Sequence, residues 1–205
     1  MLIAAVAALI LAVGVPLGGG KLSTLGRLRL RGLWLVPVAL GVQIVIISVV
    51  DDPPLVLSRS LHVGTYLFIA MLMWLNRRVP WMWVIAVGGA SNFLVIAVND
   101  GVMPASAAAL RTAGLTITEE FSNSATVHRP HLRFLGDVFG TPQALPLANV
   151  FSIGDVVILI GLGLVSITVS RTSPSSTASF LRPDAASVAA PEALLAASVE
   201  PAGQM

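Results

Sequence analysis

Residues able to act as acids, bases or metal ligands are few: ten acidic side chains and three histidines in 205 residues, with no cysteine. Three short stretches carry the ones of interest: Asn99-Asp100-Gly101-Val102-Met103-Pro104, the run HRPHLRFLGD ending at Asp137, and FSIGDVV around Asp155. A carboxylate or imidazole can serve as a general base, so an enzyme built on this chain would draw on Asp100, His131, Asp137 and Asp155 as its candidate catalytic residues. Each has a structural reading beside the chemical one. Asp155 follows Ser152 in the S-x-x-D arrangement of a capping box, with Phe151 and Val156 spaced as a hydrophobic staple. The cap is favoured over catalysis, although an acid beginning a membrane helix is a functional candidate by default. At Asp100 the left-handed cap falls to Gly101, and Pro104 prevents the helix from continuing. Its carboxylate then faces the negative end of the helix dipole, at a cost of about a few tenths of a kcal/mol. Asp100 is therefore the acid without a comfortable local explanation, and it calls for a donor, a cation or solvent.

His128 and His131 with Asp137 have the residue types of a metal site. Pro130 between the histidines interrupts the helix that would align them, and no HExxH is present, so no metal site is predicted. Arg129, His131 and Arg133 suit contact with a lipid headgroup or phosphate, with ordinary loop packing favoured over it. The absence of cysteine excludes disulfides, thiolate metal sites and thiol nucleophiles, and GxSxG, P-loop and GxGxxG patterns are missing. No cofactor is predicted.

The elements that must position these residues are membrane helices. Hydrophobic residues make up 56% of the chain, charged residues 11%, and the mean hydropathy is +0.89, too little polar surface for a soluble domain. Apolar segments fall at about 1–17, 33–50, 55–75, 79–98 and 153–170. At about 1.5 Å per residue, helices of roughly 18 to 21 residues reach the thickness of a hydrocarbon core. The predicted fold is all-α, with five transmembrane helices in a membrane domain over 1–170. A long extracytoplasmic loop joins helices four and five. Residues 171–205, rich in Ser, Ala and Pro, are predicted to form a disordered cytoplasmic tail.

Positive charge sets the orientation, because Lys and Arg beside membrane segments stay cytoplasmic. Lys21, Arg27, Arg29 and Arg31 follow the first segment, the reverse of a cleaved signal, and Arg77 and Arg78 occupy the third connection. The predicted inner side carries eight basic and three acidic residues, and the outer side four basic and seven acidic, net +5 against −3. The N-terminus is therefore expected outside and the C-terminus inside. The pI near 9.9 reflects a net charge of only +2, which gives nucleic-acid binding no support. Lys21, Arg27, Arg29, Arg31, Arg129 and Arg133 are the headgroup candidates, with anchoring favoured over specific lipid binding at the first four. The excess of arginine over lysine, with much alanine, valine and glycine, reads as a GC-rich bacterial, actinobacterial genome.

Within the segments, Gln43, Ser91 and Asn92 should seek partners on neighbouring helices, with Gly88, Gly89 and Ala90 permitting close approach. The order of GGGKLSTLGRLRLRGLWL, NDGVMPAS, HLRFLGDVFGTP and FSIGDVVILIG resembles domain-of-unknown-function family 5317, bacterial membrane proteins, over about residues 1–170. The resemblance implies a multi-pass protein and no established activity, and it carries over no catalytic residue. Two readings stay open. One is a non-catalytic accessory or scaffold unit of the cell envelope, with the bilayer and another membrane or envelope protein as partners. The other is a small envelope enzyme acting on a lipid-linked substrate at the outer face.

Overall fold

The uncharged apolar start of the chain forms a helix, α1, comprising Leu2–Leu9, a π-helical stretch Ile10–Gly14, and Val15–Leu17. Pro16 explains the wide turn: its ring opposes the carbonyl four residues back, and the Val15 N–H bonds instead to the Ile10 carbonyl. The computed structural model describes residues 2–26, 28–38, 41, 55–115, 124–125, 130–145 and 148–172. Gln43, Arg27, His128, Arg129, most of the predicted 33–50 segment and the tail after 172 lie outside the described residues.

After the short helix α2 (Leu22–Leu25), three long helices carry the architecture: α3 (Leu55–Leu75), α4 (Met82–Val98) and α6 (Ile153–Arg171). α3 has the predicted bounds. α4 starts at Met82 and not at 79, because Pro80 and a left-handed Trp81 (φ 65°) complete a turn first. Val79 is instead buried in a cluster with Met82, Val165 and Val169. Among the described residues one helix, α6, is long and apolar enough to cross a membrane, and Ala5–Leu17, Val63–Leu75 and Met82–Val98 are shorter apolar helices.

Polar side chains share the interior with apolar ones, and large apolar side chains are exposed. Asn76, Asn92, Asn99, Ser152, Ser166 and Ser170 are buried, while Leu67 is 70% exposed and Trp83 63%. An apolar exterior around buried polar groups suits a hydrocarbon surround. α4 and α6 approach closely where Gly88 meets Gly154: a Cβ on Gly88 would come within 2.6 Å of the Gly154 carbonyl oxygen.

The connections sort to opposite ends of this helix pair. At one end the Lys21 N–H donates to the Ser170 carbonyl (3.2 Å), the Arg171 guanidinium donates to the Gly18 carbonyl, and Leu25, Leu28 and Leu30 pack on Val79 and Val169. Gly20 allows this contact, since a side chain there would collide with Ser170. At the other end, the segment expected to be a plain loop folds. It contains helix α5 (Ala107–Ala113) and short strands β1 (Met103–Pro104), β2 (Ser124–Ala125), β3 (Phe139–Gly140) and β4 (Val150–Phe151). β1 pairs in parallel with β2, and β3 antiparallel with β4, so the chain is mostly helical but not all-α. Ser106 caps α5 by accepting from the Ala109 N–H, and Ala105, Ala109, Leu110, Ala113 and Val150 form a small core of their own.

Candidate functional site

The tightest polar cluster lies where α4 meets the start of α6. The Ser152 hydroxyl accepts from the Asp155 N–H (3.1 Å), and the Asp155 carboxylate accepts from the Ser152 N–H (2.9 Å), completing the capping box that the S-x-x-D spacing predicts. Asn92 joins it from α4: its amide donates to the second carboxylate oxygen of Asp155 (2.9 Å). The single hydroxyl proton of Ser152 has two acceptors, Asn92 Oδ1 and Asp155 Oδ2, each at 2.9 Å. Asn92 thereby finds the partner expected for a polar group at depth, and a side chain on Gly154 would collide with it. Both carboxylate oxygens of Asp155 are engaged, so this acid holds a helix start and an interhelix contact.

Asn99 closes the far end of α4. Its amide donates to the Val95 carbonyl (2.7 Å) and the His131 carbonyl (2.9 Å), and its Oδ1 accepts from the His131 N–H (2.8 Å). His131 is thus fixed through its backbone, and its imidazole is exposed. Asp100 is also exposed and takes a left-handed conformation (φ 58°) next to left-handed Gly101 (φ 82°). Asp is among the few residues other than glycine that tolerate this conformation. The sequence-level mismatch with the helix dipole is therefore met by solvent.

Asp137 behaves differently. It is 4% exposed, and its backbone is clamped by the Asp137 N–H to Pro104 carbonyl bond and the Ser106 N–H to Asp137 carbonyl bond, both 2.9 Å. The structure buries Asp137, holds Asp155 in the capping network and leaves Asp100 and His131 at the surface. Among the described residues no group of three His, Asp or Glu is placed to hold a metal ion.

Of the headgroup candidates, Lys21, Arg29, Arg31 and Arg133 are exposed. Arg31 is held by its backbone: its N–H donates to Asn76 Oδ1 and its carbonyl accepts from Asn76 Nδ2, both at 2.8 Å. Sequence reasoning missed Asn76 and Asn99, whose partners are remote in the chain. It also missed the tryptophans: Trp74, Trp81 and Trp83 cluster around the Arg77-Arg78 turn, a pattern legible as an interfacial aromatic belt. Trp81 ties this turn to α6 by donating to the Thr168 hydroxyl (3.0 Å).

No curated protein and no solved structure matches the chain. The match to a family, over residues 27–167, takes in α3, α4, the folded connection and most of α6, including the Asn92–Ser152–Asp155 cluster and the bonds of Asn76 and Asn99. The chain belongs to that family, described as a family of unknown function (DUF5317).

Proposed function

We propose that the chain is a cell-membrane protein crossing the bilayer five times, N-terminus outside and C-terminus cytoplasmic. It serves as a non-catalytic accessory or scaffold unit of the envelope, with its folded outer segment docking on another envelope component. The observation that carries this reading is the division of labour at the outer end. Asn92, Ser152 and Asp155 hold helix to helix, and Asn99 holds the segment to α4. The outer segment leaves Phe134 59% and Leu145 52% exposed, and Arg133 and His131, close to Phe134 in the chain, are exposed too. Exposed aromatic and arginine side chains are what docking surfaces use.

Because the chain has no cysteine, single Ser23→Cys and Ala144→Cys variants test the orientation with an impermeant thiol reagent. Only Ala144→Cys should label in intact cells, and labelling at Ser23→Cys would invert the topology. A photocrosslinking amino acid at Phe134 should trap one envelope component in living cells. The enzyme reading keeps one supporting observation, the burial of the Asp137 side chain in the outer segment. It gains the advantage if Phe134 traps nothing while Asp137→Asn abolishes a cellular phenotype at unchanged protein abundance.

A further inference from the structure

α3 and α4 run antiparallel from the Arg77-Arg78 turn, and a groove of about 430 Å³ lies between them. It is hollow because Ala70, Ala86, Gly89 and Ala90 line it with almost no side chain, and a Cβ on Gly89 would meet nothing within 4 Å. Tyr66 and Phe93 bound one end, their rings 5.5 Å apart, and Trp74, Trp83 and Arg77 bound the other. Arg77 is the one charged lining residue among the described residues.

Dimensions narrow the occupant. Tyr66 and Arg77 are 11 positions apart on the chain, about 16 Å along a helix, which is close to half of a hydrocarbon core about 30 Å thick. The groove has the length of one leaflet, an apolar lining and a single charged end. Its charged end is aromatic and cationic: the Arg77 guanidinium lies 4.1 Å from the Trp74 ring centroid and donates to the Trp74 carbonyl (3.3 Å). Guanidinium carries five N–H donors, so it can still hold a phosphate.

We infer that this groove binds one acyl chain of an anionic phospholipid from the inner leaflet, with the headgroup phosphate on Arg77. The inference rests on the membrane orientation proposed above. Inner-leaflet lipid is the anionic kind that juxtamembrane arginine attracts.

Native mass spectrometry of the full chain, released from detergent containing dioleoylphosphatidylglycerol or dioleoylphosphatidylcholine, tests it. The protein should retain one phosphatidylglycerol in preference to phosphatidylcholine. Arg77→Gln should reduce phosphatidylglycerol retention about fivefold and leave phosphatidylcholine unchanged, and Arg77→Lys should restore most of it. Gly89→Leu, which fills the groove from an open position, should displace both lipids, with an unchanged melting temperature showing that the fold is intact. Unaltered phosphatidylglycerol retention in Arg77→Gln overturns the proposal, as does disulfide formation between Ala86→Cys and Ile46→Cys, which would place another part of this chain in the groove. Failure of the membrane reading looks different: the protein would then leave the membrane fraction on alkaline washing.

Discussion

Asn76 and Asn99 sit at the C-terminal ends of α3 and α4, at opposite ends of the bundle, and make the same three bonds. Each amide donates to the carbonyl four residues back, Leu72 (2.8 Å) or Val95 (2.7 Å), and pairs both ways with a remote backbone, at Arg31 or His131. The last carbonyls of a helix lack partners within it, and an amide side chain has two donor hydrogens and an acceptor with which to serve them. The two ends differ in the chain beyond each asparagine. After Asn76 it makes a tight basic turn pinned by Trp81 to Thr168, and after Asn99 it enters a folded segment with strands, a helix and its own small core. The same clip fastens a simple anchor at one end and an elaborated folded segment at the other.

The largest effects should come from cutting the clips. Asn76→Ala and Asn99→Ala each strand buried backbone groups, at about 1 to 3 kcal/mol per group. Both should lower the detergent-solubilised melting temperature markedly, but only Asn99→Ala should sensitise residues 130–145 to protease. Equal protease patterns would erase the contrast between the ends. Next in size is Gly88→Ala, which forces α4 from α6 at about 1 to 3 kcal/mol and should destabilise the whole bundle without a preference for either end. Ser152→Ala should cost about 0.5 to 2 kcal/mol as a lost cap, with Asp155→Asn milder because the amide oxygen still accepts. A loss for Asp155→Asn exceeding that of Ser152→Ala would show that the carboxylate does more than cap. Smallest is Asp100→Asn, exposed and equally tolerant of a left-handed backbone, which should stay within about 0.5 kcal/mol of the parent. A lost phenotype at unchanged stability would return Asp100 to the candidate catalytic residues.

By itself the sequence determined whatever depends on neighbours a few residues apart. The bounds of α3, the start of α6 at Ile153 and the Ser152–Asp155 box follow from apolar run length and from a spacing of three, because helix and cap are closed by bonds that short. The requirement that Asn92 find a partner was equally legible, since a polar side chain amid apolar helix cannot be left unpaired. Which partner it took was decided by the crossing of α4 and α6, 60 positions apart at Ser152. α5 stands between the two cases. Ser106 and Gly114 mark its ends in the sequence, yet its seven residues are too few to hold as a helix alone. Packing against Val150 makes the difference. Only tertiary structure could choose Arg31 for Asn76 and His131 for Asn99, across 45 and 32 positions. An asparagine's local sequence specifies that its amide must be satisfied and nothing about which distant backbone will arrive to do so.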